Sequence, residues 1–170
     1  MNSIFSANLV RFILLVIVQF LLKEVDYANI DIYIYPVFIL LLPIGIVHGL
    51  LIVICFFFGL LIDAFYNTMG LFASAAVFVA AARPIVLTLL EPRGGYENNK
   101  ALTKFHLGNR WFLQYSGLLI FLHTLWVVTL EELQLFSWMW LLRIVVIFTL
   151  SMLIALLYQF IFNPVFKKRT

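Results

Sequence analysis

Apolar residues run along this chain in six long blocks, 5–22, 32–46, 48–66, 70–90, 111–130 and 138–162, separated by short breaks and one long polar loop. A helix needs about 20 apolar residues to cross about 30 Å of hydrocarbon, and most of the blocks approach that length. None alternates with the period of two that a membrane barrel requires. The pattern predicts an all-α membrane protein, a bundle of six transmembrane helices in a single polytopic domain over residues 1–170. The first block contains Arg11 and is followed by no small-residue cleavage site, so it reads as an uncleaved span rather than a signal peptide. The second is barely long enough to cross; Pro36 and Pro43 bracket it, and Tyr33 and Tyr35 suit its outer interface. A competing reading fuses the second and third blocks into one re-entrant hairpin. Pro84, late in the fourth block, is expected to kink its helix and free a backbone carbonyl.

Composition agrees. Apolar residues make up 65% of the 170 and charged residues 11%, against about 45–50% and about 25% in soluble domains. A soluble core of this size could not bury so much apolar surface. Cys55 is the only cysteine, which excludes an internal disulfide and reads as a packed small apolar residue. The net charge of +3 matters less than its distribution. Arg93, Lys100, Lys104 and Arg110 lie in the one long polar loop, and Lys167, Lys168 and Arg169 in the tail. The first loop has one lysine against three acids, the Asn67 turn has no basic residue, and the loop after the fifth block carries Glu131 and Glu132. Positive-inside bias then puts both termini and the long loop in the cytoplasm. The basic segments either fix topology or meet a partner or anionic membrane lipids. Nothing points to nucleic acid.

The chemistry-bearing residues are few. Asp63 ends a stretch that is apolar from Leu50 apart from Cys55. A lone carboxylate costs about 2.5–3.5 kcal/mol at a bilayer centre, so something should satisfy it. Gly59 lies four residues earlier on the same helical face, which can press closely on a neighbouring backbone. Arg143 falls at a similar depth from the same membrane face, so Asp63–Arg143 is a candidate ion pair; the alternative has Arg143 snorkelling to Glu131 or Glu132. With His123 and Gln19 they form a candidate polar cluster in the outer half of the membrane, whether structural, a partner notch or a ligand pocket. Arg83 sits toward the opposite face, too far for Asp63, and Arg11 is expected to snorkel to the cytoplasmic interface. Gly59, Gly70, Ala73, Ala76 and Ala80, with Ser74, Ala75, Ala81 and Ala82 beside them, offer a small-residue face for helix packing, either internal or against a partner helix. His48, His106 and His123 have no metal-like spacing, and no nucleophile elbow or phosphate loop occurs. No enzymatic activity, metal or cofactor is expected.

Several motifs in order resemble MreD, the bacterial rod shape-determining membrane protein family. They are Leu40-Leu41-Leu42-Pro43, Gly59-Leu60-Leu61-Ile62-Asp63, Asn67-Thr68-x-Gly70, Ala73 to Ala76, Arg83-Pro84 and Pro92-Arg93-x-Gly95-Tyr96-Glu97. They cover the middle third of the chain; the fifth and sixth blocks match in hydropathy alone. The resemblance implies a non-enzymatic scaffold of the cell-wall elongation complex in the bacterial inner membrane. Its expected partners are an MreC-like single-span protein, the RodA glycosyltransferase with its transpeptidase, and MreB filaments. It also implies a fold similar to the six-helix substrate-binding components of energy-coupling-factor vitamin transporters. Those supply the alternative function, against which Arg11 counts: in Ala7-Asn8-Leu9-Val10-Arg11 it replaces the second small residue of the Ala-x-x-x-Ala patch by which such components dock.

Overall fold

The computed structural model describes residues 2–23, 32–96, 102–103, 107–132 and 136–161, the side chains of 2–9 and 161 excepted. Its elements are α1 (Asn2–Lys23), α2 (Pro36–Leu41), α3 (His48–Tyr66), α4 (Leu71–Leu89), α5 (Asn109–Glu131) and α6 (Trp138–Ile161). No strand occurs among the described residues. Helices α3, α4, α5 and α6 are each long and apolar enough to cross a membrane by length and composition.

The tightest unit is the α3–α4 hairpin. Gly59 faces Ala73 so closely that a Cβ there would come 2.4 Å from the Ala73 Cα. The turn between them is set by two left-handed residues, Asn67 (φ 56°) and Gly70 (φ 87°). The first carries the N–H that closes onto the Asp63 carbonyl and ends α3, and asparagine tolerates that conformation better than most side chains. Half of the α4 membrane window is buried, against about a fifth for α6, so α4 is central and α6 peripheral. α4 runs on through Pro84.

Contacts fix the two ends of the bundle. At one end Lys23 Nζ donates to the Phe65 carbonyl, Trp126 Nε1 donates to Ser74 Oγ at 3.1 Å, and α5 meets α6. At the other, Trp111 Nε1 donates to the Leu90 carbonyl at 2.7 Å and Tyr96 Oη to the Leu87 carbonyl at 2.8 Å. Burial pushes the Tyr96 phenol above its ordinary pKa, in the same direction as its role as a donor.

The expected second span is where the structure departs from the hydropathy reading. Only six residues, Pro36–Leu41, are helical, which is about 9 Å of helix. Residues 33–42 are nevertheless all buried. They run from the Gln19 end, where the Ile32 carbonyl is bound, to the Arg83 end, where the Leu42 carbonyl is bound. The segment therefore passes through the bundle as the crossing reading requires, not as a hairpin, but as a short helix with non-helical flanks. Tyr33 and Tyr35, expected at an interface, are 1% and 0% exposed. The enclosed segment has no interface to offer, and their rings instead meet Phe72 and His123 edge-on.

The outward faces are apolar: Phe57, Ile85, Leu118, Val145 and Leu157 are all exposed. In water such a surface would drive association; in a bilayer it is the solvated face.

Gly59→Ala should destabilise the protein by about 1–3 kcal/mol, because the obstacle is backbone that cannot rotate away. Thermal unfolding in mild detergent checks this. Gly49, which has open space around it, is the control: Gly49→Ala should leave the midpoint nearly unchanged.

Candidate functional site

Non-helical backbone inside a membrane bundle needs partners, because neither lipid nor bulk water can supply them. The segment 32–42 finds its partners on four helices. Gln19 of α1, 1% exposed, serves the upstream flank. Its Oε1 accepts from the backbone N–H of Ile34 (2.8 Å) and Tyr35 (3.1 Å). Its Nε2 donates to the Ile32 carbonyl (3.0 Å) and to Tyr66 Oη (2.7 Å). The Tyr33 N–H is taken by Ser151 Oγ of α6 at 3.0 Å. Downstream, the Arg83 guanidinium of α4 donates to the Leu42 carbonyl and, through Nε, to Tyr115 Oη at 2.9 Å. Tyr115 Oη in turn donates to the Leu40 carbonyl at 3.1 Å. The broken helix is thus held at one end by an amide and at the other by a cation and a phenol.

Asp63 is satisfied differently from the expected pairing. Its Oδ1 accepts from the Phe72 N–H (3.0 Å) and the Thr68 hydroxyl, and its Oδ2 from the Ala73 N–H (2.8 Å). Those are first-turn N–H groups of α4, which has no side-chain cap of its own at Gly70. The carboxylate of one helix thereby caps the next, where the helix dipole favours negative charge. Arg143 binds Glu131 Oε2 at 3.0 Å and Glu132 Oε1 at 3.1 Å, which is the snorkelling alternative. The candidate Asp63–Arg143 pair is therefore corrected. Asp63 meets backbone donors nine and ten residues along its own chain, and the long arginine side chain reaches acids at the rim, where all three groups keep partial exposure.

Of the expected polar cluster, Gln19, His123 and Asp63 do come together, joined through Tyr35 and Phe72. His123 Nε2 is hydrogen-bonded to Tyr35 Oη, which also reaches the Phe72 carbonyl at 3.5 Å. Asp63 holds the N–H of that same Phe72. His123 is fully buried, and its Nδ1 has no hydrogen-bond partner among the described residues.

The small-residue face is also corrected as a partner surface. Gly59, Ala73, Ala76 and Ala80 are all buried inside this chain's own bundle, because α4 is its central helix. Gly70 makes the turn. Among the basic residues, Arg93 and Arg110 are exposed at the α4–α5 end; Lys100, Lys104, Lys167, Lys168 and Arg169 lie outside the described residues, as does His106. No group of three potential metal ligands occurs among the described residues.

Sequence reasoning missed Arg83, Tyr115 and Ser151 as holders of the second segment. The signal was present in two prolines seven residues apart within a run too short to span comfortably. That marks a broken helix whose free ends need donors and acceptors.

These features define a multi-pass helical membrane protein with a buried, polar-anchored broken helix. No protein-family model, curated protein or solved structure matches the chain.

Gln19→Leu should leave buried backbone groups unpaired, each worth about 1–3 kcal/mol, and so cost more than Ser151→Ala, which strands one. Asp63→Ala and Arg143→Ala should be additive in thermal midpoint, since the two side chains serve different partners. Recovery of stability in the double variant would contradict the geometry.

Proposed function

We propose that this chain is a non-enzymatic scaffold of the cell-wall elongation complex, of the MreD type. In this reading it acts in rod shape determination in the bacterial inner membrane and holds the transmembrane helix of an MreC-like partner. RodA, its transpeptidase and MreB filaments belong to the same assembly. The observation that carries the reading is where the motif residues fall. Gly59 is the closest α3–α4 approach, Asp63 caps α4, Asn67 and Gly70 make the turn, and Arg83 holds the broken helix. An ordered set of motifs that coincides with the positions a fold cannot exchange is what a shared architecture requires. The buried polar residues also suit a scaffold over a transporter component: the acceptor oxygens of Gln19 and Asp63 are spent on backbone N–H groups of this chain, although Asp63 borders the outward groove between α3 and α4.

In this reading the partner helix docks on the outward side of α3 and α4. A groove of about 720 Å³ lies there, lined by Phe56, Leu60, Ala64, Ser74 and Val77 among others. Small residues along its floor allow a helix to approach, and packing in lipid depends on that shape. The orientation places the α4–α5 end, with Arg93 and Arg110, in the cytoplasm.

Co-purification tests the docking. Ala64→Trp fills the groove from an exposed position, and should lower recovery of the single-span partner several-fold at unchanged membrane abundance. Ala76→Leu, at a fully buried position, should instead reduce folded protein. Undiminished partner recovery with Ala64→Trp moves the docking site elsewhere. Normal cell shape after depletion of the protein rejects the scaffold reading itself. Topology is checked separately: in a Cys55→Ala background, Arg93→Cys should be labelled only from the cytoplasmic side.

A further inference from the structure

Arg83 does more than its structural bonds require. Its side chain is 2% exposed, and its two protein acceptors, the Leu42 carbonyl and Tyr115 Oη, are both uncharged. No carboxylate lies within ion-pair distance of it among the described residues. Two uncharged oxygens occupy only part of the donor fork of a guanidinium, and they leave its charge unneutralised.

The same side chain lines a cavity of about 340 Å³ at the α4–α5 end of the bundle. Apolar walls come from Ile44, Leu51 and Leu87. His48, the first residue of α3, also lines it, and the N-terminus of α3 has no side-chain cap, so its first-turn N–H groups and the positive end of its dipole lie beside the cavity. Two independent sources of positive potential thus converge on one apolar-walled space. Glu91 stands at the exposed rim of the same cavity. Its charge disfavours a second negative charge on whatever occupies the interior, which selects a singly charged phosphodiester over a phosphate dianion.

We propose that the Arg83 cavity is a binding site for the phosphodiester headgroup of a membrane phospholipid. Arg83 holds a phosphate oxygen, the α3 N-terminus supplies further donors, and the apolar walls receive the glycerol end of the acyl chains. The free part of the guanidinium fork suits phosphate, which accepts paired N–H donors. The position suits a lipid, since Arg83 lies about 9 Å of helix inside the end of α4.

Native mass spectrometry on the delipidated full-length protein tests this, with dioleoyl phosphatidylglycerol, dioleoylglycerol and inorganic phosphate as probes. Thr88 lines the cavity from an exposed position, so Thr88→Glu adds a negative charge there without disturbing the core. Phosphatidylglycerol should bind the unmodified protein and bind Thr88→Glu about tenfold more weakly, while the thermal midpoint without lipid stays the same. Arg93→Gln, on the exposed loop, should bind as the unmodified protein does. Dioleoylglycerol, which lacks the phosphate, should not compete. Competition by millimolar inorganic phosphate that strengthens as pH falls toward about 6, where the monoanion dominates, would support the anion site and identify a soluble ion as a second source of the same chemistry. Equal binding of phosphatidylglycerol to Thr88→Glu, or equal binding of dioleoylglycerol, overturns the proposal. So does loss of binding in Arg93→Gln alone, which would assign the lipid to the basic loop. Binding of neither phosphate probe leaves the cavity to water and overturns it too.

Discussion

The structure depends on one constraint: backbone that is not helical, sealed from both water and lipid, must find its hydrogen bonds inside the protein. The segment around α2 meets it with partners matched in chemical type. Upstream, the chain is not yet helical and presents both N–H and carbonyl groups, and there the partner is Gln19, whose amide both donates and accepts. Downstream, a helix has just ended and presents carbonyls. There the partners are Arg83 and the Tyr115 hydroxyl, both of which donate. Exchanging the two would leave acceptors facing acceptors. The side chains are therefore specified by which orphan groups a broken helix leaves at each end.

The α3–α4 hairpin supplies the frame on which those partners stand. Its close approach at Gly59, its two left-handed turn residues and the Asp63 cap all lie within fifteen residues of one another. Arg83 extends from the far end of the same hairpin, so the register that brings Gly59 onto Ala73 also sets the height at which Arg83 meets Leu42. Packing at one end and hydrogen bonding at the other are coupled through one rigid helix.

Much of this was legible in the sequence, for a physical reason. A lipid-facing helix must be apolar along its whole length, and its breaks must be polar, so the blocks 48–66, 70–90, 111–130 and 138–162 fall within two residues of α3, α4, α5 and α6. The block 32–46 does cross, but its broken helix was not readable, because hydropathy measures distance from water and not conformation. A segment buried on all sides by protein is as apolar as one buried in lipid. Gly59 was readable because a glycine one turn before a carboxylate, on the same helical face, lets a neighbouring backbone approach closely. The destination of that carboxylate was not, since an acid in an apolar run implies a partner but does not distinguish a guanidinium from helix N–H groups. Arg83 was placed at the right end of its span, but its acceptors, a backbone carbonyl and a tyrosine hydroxyl, have no sequence signature. Tyr33 and Tyr35 have the composition of an interfacial pair, and only enclosure of their segment makes them core.

The polar contacts also differ in how far along the chain they reach, and that ranks them physically. Counting bonds to backbone, Asp63 accepts from N–H groups nine and ten residues away and Gln19 from N–H groups fifteen and sixteen away, whereas Arg83 donates to a carbonyl forty-one residues away and Tyr115 to one seventy-five away. Closing a longer loop costs more entropy, though the cost grows slowly with length. The Asp63 cap can form as soon as two adjacent helices are side by side. The Tyr115 contact needs α5 already in place against α2. Until then the carbonyls at the end of α2 lack their donors, and a short helix with unpaired ends is a poor occupant of lipid. Arg83 bridges these cases: it belongs to the early hairpin yet bonds both the broken helix and Tyr115. A charged donor suits that place because it attracts carbonyl oxygens more strongly than a neutral one would. The residual charge this leaves after both bonds are made is what distinguishes Arg83 from Gln19, whose groups are fully matched.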